Sequence, residues 1–186
     1  MLKRNFTLVE LMIAIAIVAI LAAILIPAAN GAIKKAEKAK AKSGAVELVN
    51  AIRHYQSEYG VLPVAMVGTT DNQLPAAKYA DFIKMLQGTK TTTGSVVENA
   101  RGIKFLDKID DNGTYKDPWD KDYLIFIDTN YSGTVTNGNL GIDGSVYQPV
   151  VVMSYGPKGK SDDIPNFVHS ANVTYDKSSK KWKVVK

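Results

Sequence analysis

Lys3-Arg4-Asn5-Phe6-Thr7-Leu8-Val9-Glu10-Leu11-Met12 opens this chain, and from Leu11 to Ile33 no charged residue follows. A short basic stub thus runs into one acidic side chain at the mouth of an apolar segment. At about 1.5 Å of rise per residue, Leu11 to Ala29 nearly spans the ~30 Å of a bilayer's hydrocarbon, and the flanking residues complete the crossing. A cleavable secretory signal has a shorter apolar core and a small-residue cleavage site. Here the apolar pattern is long and flows into an amphipathic stretch without an Ala-x-Ala break, so it reads as an anchor. Glu10 has two readings. Thr7-x-x-Glu10 ahead of an apolar run is a capping-box pattern, in which hydroxyl and carboxylate close the free N–H groups of the first turn. A carboxylate beside hydrocarbon also carries a penalty of up to about 3 kcal/mol at a helix centre, less near the interface, and so invites a functional reading.

Pro27 removes one backbone hydrogen bond and crowds the preceding turn, which predicts a kink or a local opening. Alternatively, Pro27 with Asn30 and Gly31 marks the membrane boundary. Lys34, Lys35, Lys38, Lys40 and Lys42 come next, offset only by Glu37. By the positive-inside rule these lysines place the large C-terminal domain in the cytoplasm, yet long domains translocate largely regardless of charge. The formal net charge of +5 and pI near 9.2 raise the question of nucleic acid. The lysines, however, stand in an Ala-rich helical run without interleaved aromatics or a nucleic-acid fold motif, and no such partner is expected. They read as a solvated helix face near lipid headgroups.

From Ala45 the pattern acquires a face. Ala45, Leu48, Val49, Ile52, Tyr55 and Tyr59 recur at three- and four-residue spacing, the signature of one apolar helix stripe that packs on a domain. Gly60 and Pro63 end the helix, and the remainder suffices for one small core. Lys78 to Gln87 predicts a short helix through Tyr79, Phe82, Ile83 and Leu86, and Gly88 to Gly94, with its threonines, predicts a loop. Tyr123 to Ile127 and Val150 to Ser154 predict strands, and Val173 to Tyr175 with Trp182 to Val185 predict a terminal hairpin across Asp176 to Lys181. Helix first and sheet later, without alternation, is an α+β pattern. Pro118 and Trp119 read as a turn that lays an indole on the core.

Catalytic signatures are absent from the sequence. His54 and His169 have no evident partners in the sequence, and no nucleophile elbow, zinc triad or phosphate loop is present. Asp107, Asp110 and Asp111 read as solvated loop acids rather than a glycosidase pair. Asp128-Thr129-Asn130-Tyr131-Ser132-Gly133 has the spacing of an EF-hand start, but Asn139 holds the twelfth position, and a polar turn is the commoner meaning. The Asn-x-Ser/Thr sites at Asn112, Asn130 and Asn172 sit among turn residues.

The string from Lys3 to Met12, with the apolar run and Pro27, resembles the prepilin leader and N-terminus of type IV pilins and type II secretion pseudopilins. Asp117-Pro118-Trp119-Asp120-Lys121-Asp122-Tyr123 and the stretch Ser154-Tyr155-Gly156-Pro157-Lys158-Gly159-Lys160-Ser161-Asp162-Asp163 resemble two signatures of the major pseudopilin. The resemblance implies a ladle fold: a leader (1–5), a transmembrane and filament-core half-helix (6–33), an amphipathic half-helix (34–60) and a globular α+β head (61–186). It implies cleavage between Asn5 and Phe6 by a prepilin peptidase and N-methylation of Phe6, although Asn5 stands where the family carries Gly. Glu10 would meet the N-terminal amine of a neighbouring subunit, and Pro27 would border a stretch of stem that unwinds in the filament. Many type IV pilins carry a C-terminal disulfide; this chain has no cysteine. In major pseudopilins calcium serves instead, which points to Asp162, Asp163 and Ser154 as ligands, with Lys158 where the family has Asp. The implied protein is no enzyme. It is a single-pass inner-membrane protein, held by lipid before assembly, with an extracytoplasmic head, a homopolymer whose partners are minor pseudopilins, the peptidase and an inner-membrane assembly platform. The alternatives are a type IV pilin of a surface fibre and, from another class, a membrane-tethered hydrolase or ligand-binding domain.

Overall fold

A computed structural model describes residues 7–67, 73–107, 114–135, 142–143, 146–158, 168–171, 173–176, 178–179 and 181–184. The chain divides into two units, Met1–Glu37 and Lys38–Lys186. Helix α1, Leu8–Tyr59, begins in the first and ends in the second. It starts after Thr7, whose side chain caps it, and Gly60 at φ 74° stops it with a left-handed residue that only glycine adopts without strain. The helix runs unbroken through Pro27, so the local opening expected from the sequence is not found there. In the first unit the large apolar side chains from Leu8 to Ile33 are exposed.

In the second unit the far part of α1 carries the stripe read from the sequence. Ala45, Leu48, Val49, Ile52 and Tyr55 are buried, with Ala41, Gly44 and Ala51 beside them. They pack against α2, Tyr79–Leu86, which buries Phe82, Ile83, Met85 and Leu86 and is entered through a 3-10 turn at Ala76–Lys78. The hairpin β1 (Thr91–Thr93) and β2 (Val96–Glu98) follows, joined antiparallel where the threonines predicted a loop. A three-stranded antiparallel sheet comes next, with β3 (Leu124–Ile127) against β5 (Val150–Ser154) and β5 against β6 (Val168–His169). Its two faces close two cores: Ile125, Ile127, Val150 and Val152 lie against the helices, and Phe126, Val151 and Met153 join Val135, Val146 and Ala171 on the other side. Period-two alternation thus splits one strand pair between two apolar clusters, which is why β5 is buried throughout. The terminal hairpin forms as expected, β7 (Val173–Asp176) against β8 (Lys181–Val184), and a short β4 (Ile142–Asp143) adds to β8 in parallel.

His169 sits buried in β6, opposite Met153. Burial holds its imidazole down to about 4 from an ordinary value near 6.5. The folded state therefore binds this proton less readily than the unfolded chain. Stability from this group is present above pH 6.5 and is lost as the pH falls towards 4, a contribution on the order of 3 kcal/mol. Thermal melts of the full chain in detergent micelles at pH 7 and pH 4.5 should show a drop that His169→Leu reduces; an equal drop in the variant would refute the assignment.

Candidate functional site

At the start of α1 the Thr7 backbone N–H donates to Glu10 Oε2 at 2.9 Å and the Thr7 hydroxyl donates to the same oxygen at 2.8 Å. The Glu10 N–H donates back to Thr7 Oγ1 at 3.2 Å. The capping box read from the sequence is therefore formed, and the Thr7 and Glu10 N–H groups are both met by side chains. Both Thr7 bonds fall on Oε2, and Glu10 is exposed, so capping leaves the carboxylate accessible to a cation. Asn5 and Phe6, the expected processing residues, lie outside the described residues. Among the described residues α1 is the one helix long and apolar enough to cross a membrane.

A sequence-distant group, unsignalled by any motif, anchors the helix in the second unit. The Tyr115 hydroxyl donates to Glu47 Oε2 at 2.7 Å and the Tyr123 hydroxyl donates to the Ala41 carbonyl at 3.1 Å. Both rings come down over Gly44, where a Cβ would stand 2.5 Å from Tyr123 Oη and 3.2 Å from Tyr115 Oη. Tyr79 donates its hydroxyl to the Tyr115 carbonyl and accepts from the Tyr123 N–H at 3.4 Å. Burial raises all three phenols, and Glu47 raises Tyr115 further, so they remain protonated donors at any physiological pH. A second group lies further along the helix. Buried Glu98 accepts from the Tyr55 hydroxyl. Asn99, at φ 50°, donates to the carbonyls of Met85 and Ile103 at 2.6 and 2.8 Å and accepts from Tyr59 at 2.8 Å.

The two signature strings of the head meet at one bond. Buried Asp117 accepts from the Ser154 hydroxyl at 2.5 Å and from the backbone N–H groups of Trp119 and Lys121 at 2.9 Å each. Ser154 Oγ accepts in turn from the Gly156 N–H at 3.0 Å. The turn at Pro118 is thus closed by Asp117, and Trp119 is half-buried. The hydroxyl of Ser154, one of the expected calcium ligands, is engaged at the base of its loop. Asp162 and Asp163 lie outside the described residues, and among the described residues no three His, Cys, Asp or Glu side chains are placed to hold a metal.

The EF-hand-like string is a turn. Asp128 is buried and accepts from the N–H groups of Ser132 and Gly133 at 3.1 and 2.7 Å. Its carboxylate thus closes its own loop.

Residues 6–26 match the prokaryotic N-terminal methylation motif. Over 165 residues, 89% of this chain and 92% of the relative, the sequence is 30% identical to the type II secretion system core protein G of Vibrio cholerae. The chain belongs to the type II secretion core protein G family, the major pseudopilins. The core protein G of Escherichia coli is 28% identical over 165 residues, 89% of this chain and 91% of the relative. The type IV major pilin of Neisseria gonorrhoeae is 34% identical over 94 residues, 50% of this chain and 56% of the relative. No solved structure gives a significant match. For this pseudopilin the methylation motif covers the capped start of α1 and most of its exposed apolar run.

Proposed function

We propose that this chain is a structural subunit, not an enzyme, of a filament built at the bacterial inner membrane for type II protein secretion. The observation that carries the reading is the exposed, uncharged stem behind a single carboxylate that is capped and still accessible. Before assembly the stem is held by lipid. Afterwards it packs against other stems, its alanines permitting close helix approach. The head lies outside the cytoplasm. A prepilin peptidase cuts between Asn5 and Phe6 and the new amine is methylated. Glu10 then pairs with the Phe6 amine of a neighbouring copy, and because an unpaired charge in the stem bundle is penalised, the pair selects register. Pro27 marks where the assembled stem can open, since its missing N–H weakens the helix there. Minor pseudopilins and an inner-membrane platform complete the assembly. Calcium belongs to the same reading at Asp162 and Asp163, with Ser154 supporting the loop through Asp117.

Mass spectrometry of the N-terminus, on protein taken from its native membrane, tests the processing step. A methylated Phe6 terminus is expected in the wild type and in Asn5→Gly. An intact Met1 terminus in both would overturn the reading.

A further inference from the structure

We infer that Asn130 is an acceptor for N-linked glycan, a modification of the head that the filament role does not require. Asn130-Tyr131-Ser132 supplies the Asn-x-Ser pattern. Many such patterns are buried or lie in regular structure; this one stands on an exposed turn, with residues 130–133 all exposed. The Asn130 Oδ1 accepts from the Ser132 N–H at 3.0 Å, an Asx turn that brings carboxamide and hydroxyl residue together. That bond polarises the carboxamide, so its Nδ2 yields a proton more readily. Among the described residues no hydrogen bond is made to Nδ2. The turn is held from below as well as by Asn130 Oδ1. Buried Asp128 accepts from Ser132 and Gly133, and the Tyr131 hydroxyl accepts from the Leu62 N–H at 3.1 Å. A bulky group on Nδ2 therefore projects into solvent without disturbing the core.

The co-reactant is a lipid-diphosphate-linked oligosaccharide, presented with its transferase on the extracytoplasmic face. A bond forms between Asn130 Nδ2 and the anomeric carbon of the first sugar. The bond from that carbon to the diphosphate oxygen breaks, the lipid diphosphate leaves with the electron pair, and one Nδ2 proton passes to a base of the transferase. The inference rests on the extracytoplasmic head proposed above.

The test is peptide mass mapping of the full chain from its native membrane, together with protease accessibility of the head in spheroplasts. The Asn130 peptide should carry the mass of an oligosaccharide in the wild type and in Ser132→Thr, and lose it in Asn130→Gln and Ser132→Ala. Two separate substitutions guard against misfolding as the cause, since Ser132→Ala leaves the asparagine in place. A bare Asn130 peptide on a protease-accessible head overturns the inference and leaves the filament reading standing. A head shielded from protease overturns the placement on which both depend. Glycan that persists in Asn130→Gln assigns the acceptor elsewhere and overturns the inference as well.

Discussion

Glu10→Gln should abolish filaments while leaving the chain in the membrane. Two roles for Glu10 compete, and the structure makes them separable. As a cap, Glu10 needs an acceptor that reaches the Thr7 N–H and hydroxyl, at 2.9 and 2.8 Å here, and a glutamine oxygen serves that purpose. As a charge partner, Glu10 needs its ionised carboxylate, which glutamine lacks. A capping role alone therefore leaves Glu10→Gln close to wild type, while Glu10→Leu costs about 1 kcal/mol at the helix start. Charge pairing predicts that both substitutions fail alike. Removing one partner of a buried pair costs about 3–5 kcal/mol at each subunit contact, more than a hundredfold in the assembly equilibrium. The measurement is the sedimentable, microscopically visible filament fraction, beside the membrane-bound fraction of the same cells. Normal filaments with Glu10→Gln would reduce the residue to a cap.

The second large effect is expected at Gly44, remote from the stem's start. In this helix a glycine-to-alanine change ordinarily gains up to about 1 kcal/mol of propensity. Here the new Cβ meets Tyr123 Oη at 2.5 Å, so the buried ring must shift. The hydroxyl would leave the Ala41 carbonyl, and two neighbours linked to it, Tyr79 and Tyr115, would shift. Gly44→Val adds two further carbons against the same rings. Overpacking and one lost hydrogen bond together should destabilise Gly44→Val by about 3 kcal/mol, lowering the melting temperature of the full chain in detergent by on the order of 10 °C. In Gly44→Ala the helix gain offsets part of the clash. Tyr123→Phe removes the clashing oxygen, so adding it to Gly44→Ala should cost less than the two single changes combined. Strict additivity would show that the contact is not what Gly44 serves.

Features set by local periodicity were legible in the sequence, and features set by distant contacts were not. The stripe from Ala45 to Tyr55 follows the 3.6-residue period, and one face of α1 buries those side chains. Strands β3 and β5 were legible because both are short β-branched and aromatic runs, buried on both sides and bounded by turn residues. The capping box was legible because its geometry is fixed by a three-residue spacing. The β1–β2 hairpin was missed because its threonines lie between Gly88 and Gly94 and its strands are too exposed to show an apolar alternation. The Asp-Pro-Trp turn was legible but its closure was not: Asp117 closes it, and its partner Ser154 lies 37 positions away. Tyr79 and Tyr123 were legible as parts of a helix and of a signature string, but nothing in the spacing of 44, 79, 115 and 123 announces that the tyrosines meet over Gly44. The Asp128 string was legible as a polar turn, but only the fold reveals that Asp128 turns inward onto Ser132 and Gly133.

The most direct test of the assembly claim is zero-length carbodiimide coupling in filaments grown from an equal mixture of nitrogen-14 and nitrogen-15 subunits. The Phe6 amine and Glu10 of one chain are also near in sequence, so only coupled peptides of mixed isotope report a bond between neighbours. Phe6-to-Glu10 peptides in which one half is light and the other heavy are expected. Coupled peptides found only within single-isotope chains, or filaments in which Glu10 couples to some other amine, would contradict the claim.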